Sequence, residues 1–219
     1  MTAVVALSIK VKICGLSEPG HVDTAIGAGA DYVGFVHVRK SPRYVSLDEM
    51  TELARRVPER VVKVVLTVDA SEAELEGIAA SGCADMFQLH GSESPETVRK
   101  LRNRLGLPIM KAIGIGSEED VRNIAKFEDV ADQILVDAKP APGAEVPGGQ
   151  GLPFEWRLVS RRTWKRPWML AGGLHVGNVA MAASAAGATQ VDVSSGVEIM
   201  RGRKDSVRIR EFLRLVKEL

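Results

Sequence analysis

The stretch Lys12-Ile13-Cys14-Gly15 determines how the rest of the chain is interpreted. It completes residues 8–13, a run with β-branched side chains at alternate positions, and the glycine that follows interrupts strand pairing. The run predicts a first β-strand that carries the thiol of Cys14 at its C-terminal end. In a closed parallel barrel, ligands bind at this end of the strands. The same rim is therefore where further functional groups are expected.

Segments rich in Val, Ile and Leu alternate with amphipathic segments along the chain. Ser71 is predicted to cap a helix, with Glu74 in capping-box spacing. About eight strand–helix units in 219 residues are typical of the α/β class and of a single (β/α)8 TIM barrel. We expect residues 1–219 to form one such domain, and an open doubly wound sheet is the alternative. The predicted strands cover residues 8–13, 32–37, 61–68, 86–90, 108–113, 133–137, 168–171 and 190–193.

The bulk composition limits the class of protein. The chain is 45% hydrophobic, and 29 basic and 28 acidic side chains leave a net charge of +1. This balance gives no support to nucleic-acid or membrane-surface binding. The two cysteines, Cys14 and Cys83, lie far apart, so we expect a reduced, cytoplasmic protein. We read no signal peptide at the start of the chain, and no apolar run has the length of a membrane span.

Polar side chains at the C-terminal ends of the predicted strands carry most of the functional information, because parallel strands are otherwise apolar on both faces. Since alternate residues share a face, Cys14, His90, Asp137 and Asp192 would ring the top of the barrel. Each also has a structural interpretation: a small buried cysteine, a core histidine, or a carboxylate that caps a loop. His37 and His90 could suggest a metal, but no ligand spacing is diagnostic, and we expect none.

Glycine-containing turns follow the seventh and eighth predicted strands. In (β/α)8 barrels these two loops commonly hold a phosphate, because glycines let backbone N–H groups approach the anion. Tight turns without a ligand are the alternative. The expected phosphate-binding residues are Gly172, Gly173, Ser194, Ser195 and Gly196.

Two loops could complete the site. Arg43, just past the second strand, could grip a carboxylate through paired hydrogen bonds, or it could be a solvated surface charge. Residues 138–153 form a long loop directly after Asp137, and we interpret this loop as a lid over the site.

Several stretches, in order along nearly the whole chain, resemble the phosphoribosylanthranilate isomerase family of tryptophan biosynthesis. The two most specific are Lys12-Ile13-Cys14-Gly15 and Asp192-Val193-Ser194-Ser195-Gly196-Val197-Glu198. The others are Gly34-Phe35 with Ser41-Pro42-Arg43, Gln88-Leu89-His90-Gly91, Leu135-Val136-Asp137-Ala138, Gly148-Gly149-Gln150-Gly151 with Phe154 and Trp156, and Ala171-Gly172-Gly173-Leu174.

The resemblance implies a cofactor-free Amadori rearrangement of N-(5'-phosphoribosyl)anthranilate to 1-(2-carboxyphenylamino)-1-deoxyribulose 5-phosphate. It implies that Asp137 is the general acid, which protonates the ribose ring oxygen, and that Cys14 is the general base, which removes the C2 proton. Arg43 would hold the anthranilate carboxylate. Gln88, His90 and Asp192 would line the substrate pocket. The implied partner is a small sugar phosphate, and family members occur as monomers, as homodimers or fused to a neighbouring enzyme.

The base role needs a thiol whose pKa falls from about 8.5. Lys12 shares a face with Cys14 and is our hypothesis for the positive charge that lowers this pKa. Three residues depart from the family pattern: His37 replaces a usual aromatic residue, Gln150 a small hydroxyl residue, and Thr67 a common phenylalanine. These departures concern the lid and the pocket shape.

Three other functions compete with this interpretation. The aminoaldose–ketose isomerase of histidine synthesis runs the same rearrangement, but it uses two aspartates, whereas the first strand here ends in Cys14. A metal-dependent pentose-phosphate epimerase needs His and Asp ligands, which His37, His90 and Asp192 could supply. A non-catalytic phosphate-binding barrel would have no need of the Cys14–Asp137 pair.

Overall fold

The computed structural model describes residues 9–139 and 155–219. Within them, eight parallel strands close into a barrel in chain order, and β1 pairs with β8. The closure confirms the (β/α)8 barrel and excludes the open sheet. The barrel strands are β1 (Lys10–Cys14), β2 (Tyr32–Val36), β3 (Val62–Thr67), β4 (Met86–Leu89), β5 (Ile109–Ile115), β6 (Gln133–Ala138), β7 (Trp168–Leu170) and β8 (Gln190–Val193).

Helices lie between the strands and follow the last one. They are α1 (Pro19–Gly27), α2 (Leu47–Ala54), α3 (Glu72–Ala80), α4 (Pro95–Leu105), α5 (Glu118–Asn123), α6 (Ala125–Glu128), α7 (Arg157–Ser160), α8 (Val179–Ala186) and α9 (Ser206–Lys217). No helix in the described ranges is long and apolar enough to cross a bilayer. Most of the predicted lid, including Gln150, lies outside the described residues.

Apolar clusters occupy both faces of the sheet. A large cluster fills the space between strands and helices, and a smaller one, which includes Val64, Met110 and Met169, fills the barrel interior. At the N-terminal end of the interior, Gln190 Oε1 accepts hydrogen bonds from the Tyr32 hydroxyl at 3.0 Å and from Gln133 Nε2 at 3.1 Å. These interior polar groups therefore pair with one another.

Serine caps begin several of the helices. The Ser71, Ser94 and Ser117 side chains each accept a hydrogen bond from the backbone N–H three residues later. The prediction of a capping box at Ser71 is only half right, because the Glu74 carboxylate contacts His37 Nε2 at 3.3 Å instead. The reciprocal capping box lies at the start of α2, between Ser46 and Glu49.

Two short strands that the sequence analysis did not predict follow β8. After a 3-10 turn (Ser195–Val197), β9 (Glu198–Met200) and β10 (Arg203–Lys204) form an antiparallel hairpin. Gly202 has a φ of +87°, and a Cβ there would lie 2.6 Å from the carbonyl oxygen of Pro42. The hairpin therefore packs directly on the loop that follows β2.

Candidate active site

A pocket opens at the C-terminal ends of the barrel strands. It brings together the residues predicted for the site with one exception, Gly196, which is not among its lining residues. A Cβ at Gly196 would lie 2.0 Å from the carbonyl oxygen of Leu174, so this glycine allows the loop after β8 to pack on the loop after β7. The predicted residues that line the pocket are Cys14, Arg43, Gln88, His90, Asp137, Gly172, Gly173, Asp192, Ser194 and Ser195.

The Cys14 thiol lies beside a buried ion pair. Lys12 is fully buried inside the barrel, and its Nζ is 3.0 Å from Asp192 Oδ1 on the neighbouring strand. A Cβ on Gly34 would lie 3.1 Å from both Lys12 Nζ and Cys14 Sγ, so glycine at this position leaves room for the two groups.

The pKa of Cys14 is raised overall, although the charge of Lys12 acts in the direction that the hypothesis requires and lowers it. Burial is the largest influence and raises the pKa of the thiol; the charge of Lys12 lowers it but does not cancel this shift, and the charge of Asp192 adds to the rise. Burial lowers the pKa of Lys12, but attraction to Asp192 and Cys14 outweighs that effect and raises it overall. Lys12 therefore stays charged next to a thiol that holds its proton more tightly than usual.

The carboxyl group of Asp137 is held between backbone and histidine. Its Oδ1 accepts a hydrogen bond from the backbone N–H of Ala138 at 2.8 Å, and its Oδ2 lies 3.5 Å from His90 Nε2. The other ring nitrogen of His90, Nδ1, lies 3.2 Å from Gln88 Nε2. If Gln88 donates to Nδ1, the histidine carries its proton on Nε2, directed at the carboxyl group.

Lys111 and Glu93 hold the backbone around His90, and the sequence analysis did not identify either residue. Lys111 Nζ donates to the carbonyl oxygens of Leu89 at 3.2 Å and Gly91 at 2.8 Å, and to Glu93 Oε2 at 2.8 Å. Both side chains are almost fully buried. A lysine inside a buried parallel strand is the signal that could have indicated Lys111, as it indicated Lys12.

Arg43 lines the pocket, but one edge of its guanidinium is already occupied. Its Nε donates to Glu198 Oε1 at 2.7 Å and its Nη2 to Glu198 Oε2 at 3.0 Å. The alkyl stem of Arg43 passes over Gly15, where a Cβ would lie 2.5 Å from Arg43 Cδ. The positive φ of +78° at Gly15 and this close approach both require glycine.

The two glycine-containing turns meet at one side of the pocket. Gly172 has a φ of +87°, and a Cβ there would lie 2.8 Å from the backbone nitrogen of Ala138. Asn178 secures the first turn, since its Nδ2 donates to the carbonyl oxygen of Gly173 at 2.9 Å. In the second turn, Lys204 Nζ donates to the carbonyl oxygen of Ser194 at 2.9 Å and to its Oγ at 3.1 Å.

Glu198 and Lys204 are two further residues of the site that were not predicted from the sequence. Glu198 is the last residue of the family-like stretch 192–198, and nothing in the local sequence marks Lys204, which lies in a two-residue strand. Burial lowers the pKa of Lys204 to about 8, against the opposing charge of Glu198. Burial raises the pKa of Glu198, but Arg43 and Lys204 outweigh it and the pKa falls below its usual range.

The histidines do not assemble a metal centre in the described part of the chain. No group of three His, Cys, Asp or Glu side chains in residues 9–139 and 155–219 is arranged to hold a metal ion. His37 instead contacts the carbonyl oxygen of Val45 at 2.8 Å and Glu74 at 3.3 Å. The epimerase alternative therefore lacks a ligand set in these ranges.

The fold and the site define a class: (β/α)8-barrel enzymes that act on small phosphorylated substrates by acid–base chemistry. Residues 11–214 match the family model of N-(5'phosphoribosyl)anthranilate (PRA) isomerase. The chain is 53% identical over 209 residues to N-(5'-phosphoribosyl)anthranilate isomerase of Cereibacter sphaeroides, covering 95% of this chain and 99% of that protein. Identity to the Rhodopseudomonas palustris isomerase is 47%, over 96% of this chain and 97% of the relative. The chain belongs to this isomerase family.

Solved structures agree with this assignment. The crystal structure of phosphoribosyl anthranilate isomerase from Thermotoga maritima superposes with a TM-score of 0.85 at 32% identity, over 96% of this chain and 100% of that one. A crystal structure of phosphoribosyl anthranilate isomerase in complex with reduced 1-(o-carboxyphenylamino)-1-deoxyribulose 5-phosphate gives a TM-score of 0.83 at 31% identity, with the same coverage.

Proposed function

We propose that this chain carries out the reaction of its family, the isomerisation of N-(5'-phosphoribosyl)anthranilate in tryptophan biosynthesis, with Asp137 as the acid and Cys14 as the base. One observation carries the assignment: the two groups line the same pocket from β6 and β1, three strands apart around the closed barrel. A substrate between them can receive a proton from one group and lose a proton to the other.

In the first step, Asp137 gives its proton to the ribose ring oxygen. The C1–O bond breaks as the anthranilate nitrogen forms a double bond to C1, which yields an open-chain iminium ion. The backbone N–H of Ala138 and the ring of His90 orient the carboxyl group for this transfer. A positioned proton transfer of this kind contributes about 10²–10⁴-fold to the rate.

In the second step, the thiolate of Cys14 removes the proton from C2. The C–H electron pair forms a double bond between C1 and C2, and the iminium nitrogen becomes neutral. The resulting enolamine takes a proton at C1 and loses the C2 hydroxyl proton to give the ketone. Lys12 supplies the nearby positive charge that favours the thiolate, against the burial of the site.

Binding groups at the rim fit the two anionic ends of this substrate. The Nε edge of Arg43 is bound to Glu198, so the carboxylate would meet the other edge, formed by Nη1 and Nη2. Gly172, Gly173, Ser194 and Ser195 would hold the phosphate, with Gly196 supporting their loop. Gln88 Oε1 is buried and has no hydrogen-bond partner within the described residues, so it offers an acceptor to a substrate N–H or hydroxyl. Asp192 would line the pocket and balance Lys12.

We further propose that residues 1–219 act as one domain, as a monomer or homodimer, in the cytoplasm. The free, buried state of both cysteines supports a reducing compartment.

The test is the loss of fluorescence of freshly generated phosphoribosylanthranilate. We expect rapid turnover by the wild type and a fall of about 10²–10⁴-fold for Cys14→Ala and for Asp137→Asn. Cys83→Ala is the matched control, because Cys83 is also buried but lies outside the pocket. A folded wild type without turnover would overturn the proposal, and so would Cys14→Ala and Asp137→Asn variants with unchanged rates.

A further inference from the structure

A buried set of charged side chains joins two of the loops that line the pocket. Glu198 binds Arg43 through both carboxylate oxygens, at 2.7 Å and 3.0 Å. Lys204 Nζ donates to Glu198 Oε1 at 2.9 Å and to Ser194 O and Oγ at 2.9 Å and 3.1 Å. The connection therefore runs from the loop after β2 to the loop after β8. We call Arg43, Glu198 and Lys204 the rim triad.

The burial of the rim triad is unusual for charged residues. The side chains of Arg43, Glu198 and Lys204 are 8%, 4% and 0% exposed. Buried ion pairs often contribute little net stability, because desolvation offsets their attraction. The triad also holds two cations and one anion, so one positive charge remains without an anionic partner inside it. Such an arrangement suits a pocket that binds a negatively charged ligand.

The rim triad fixes the direction of two sets of hydrogen-bond donors, one on Arg43 and one on Ser194. Glu198 occupies the Nε edge of Arg43 and fixes the plane of the guanidinium, so the Nη1–Nη2 edge keeps one orientation. Lys204 donates to Ser194 Oγ, so the hydroxyl must direct its own hydrogen elsewhere. Because Ser194 and Arg43 both line the pocket, both sets of donors are available to a ligand there.

We propose that Glu198 and Lys204 are positioning residues that set the pocket's selectivity for ligands with both a carboxylate and a phosphate. Glu198 acts through Arg43 on the carboxylate, and Lys204 acts through Ser194 on the phosphate. The shared carboxylate of Glu198 keeps the two anchors at a fixed separation. The inference rests on the proposed function, since it assigns the two ends of the same substrate.

A purely structural role is the competing explanation. Glu198 Oε2 also accepts the backbone N–H of Gly202 at 3.1 Å, and Arg208 donates to the Glu198 carbonyl oxygen, so the residue holds the β9–β10 hairpin as well. The test must therefore separate the two anionic ends of the ligand rather than record a loss of activity.

The experiment measures dissociation constants by calorimetry for three probes. They are reduced 1-(o-carboxyphenylamino)-1-deoxyribulose 5-phosphate, its phenylamino analogue without the carboxylate, and the dephosphorylated form of the carboxylated compound. The variants are Glu198→Gln and Lys204→Met. Glu128→Gln is the matched control, because Glu128 is buried and paired with Arg162 outside the pocket.

We expect Glu198→Gln to weaken the binding of both carboxylated probes by about tenfold or more, and to weaken the phenylamino analogue less, through the altered contact with Lys204. Lys204→Met should weaken the two phosphorylated probes more than the dephosphorylated probe, and Lys204→Arg should restore part of the loss. In a double-mutant cycle, Arg43→Met should cost less in the Glu198→Gln background than in the wild type. Glu128→Gln should not change the discrimination between probes.

Equal losses for all three probes, or additive effects of Arg43→Met and Glu198→Gln, would overturn the inference. If Glu198→Gln does not fold, Glu198→Asp keeps the charge, shortens the reach to Arg43 and must show the same carboxylate-selective loss. Wild-type turnover is measured first, so a failure of the proposed function is seen separately from a failure of the rim triad.

Discussion

At the residue scale, burial is the largest influence on the pKa of Cys14. Alternation in one strand pointed to the thiol and its neighbour Lys12, and the structure places Cys14 in the pocket lining and Lys12 buried inside the barrel next to it. The pattern could not weigh burial against charge, because that balance depends on Asp192, which lies 180 residues from Lys12 in sequence. Burial raises the pKa of Cys14 despite the adjacent ammonium group.

This environment predicts that the rising limb of the pH profile of kcat/KM lies at alkaline pH. If the thiolate of Cys14 is the base, kcat/KM rises with pH until the raised pKa of the thiol is passed. Lys12→Met removes the charge that favours the thiolate, so the limb should move to higher pH. Asp192→Asn removes the charge that opposes it, so the limb should move to lower pH. Profiles of kcat/KM for the three proteins test this, and unchanged limbs in both variants would remove Lys12 and Asp192 from the account.

At the element scale, local sequence signals located most of the structure. Each predicted barrel strand agrees with the observed one to within two residues, because apolar β-branched runs and the glycines and prolines near their ends are local signals. The β9–β10 hairpin was missed because strands of three and two residues carry no periodic pattern. Tertiary contacts form it, through Gly202 on Pro42 and Glu198 on Arg43.

The capping box at the start of α2 gives a prediction about stability. Ser46 and Glu49 exchange side-chain and backbone hydrogen bonds, whereas Ser71 has only the first half of the motif. Ser46→Ala should lower the free energy of unfolding by about 1 kcal/mol. Urea denaturation measures the change, with Ser71→Ala as the comparison that removes a single bond. A denaturation midpoint unaffected by Ser46→Ala would show that the box does not stabilise the helix.

At the scale of the whole molecule, barrel closure creates contacts that no local pattern reveals. The strand-end rule predicted the ring of Cys14, His90, Asp137 and Asp192 because every parallel strand delivers its C-terminal residue to one rim. It could not predict that Arg43 meets Glu198, which lies 155 residues away in sequence. Nor could it find Glu93, whose contact with Lys111 depends on how β5 lies beside the loop after β4.

The buried Lys204 gives a prediction for global stability. Its pKa is lowered from 10.5 to about 8 in the folded protein. Between these two pH values the unfolded chain keeps the proton on Lys204 and the folded chain has released it. The contribution of Lys204 to the free energy of unfolding therefore grows as the pH rises through this window, and it is lost as the pH falls to about 8. Unfolding free energies from pH 8 to 10.5 should therefore rise more, or fall less, with pH for the wild type than for Lys204→Met. Parallel curves would contradict this assignment.

The most direct test of the acid–base assignment is the kinetic isotope effect on kcat/KM with substrate deuterated at C2 of the ribose. Cys14→Ser replaces the thiol by a much weaker base, so removal of the C2 proton becomes rate-limiting and the isotope effect should exceed that of the wild type. Asp137→Asn slows ring opening, which comes earlier, so its isotope effect should disappear. An isotope effect absent from Cys14→Ser and enlarged in Asp137→Asn would reverse the two roles and contradict the account.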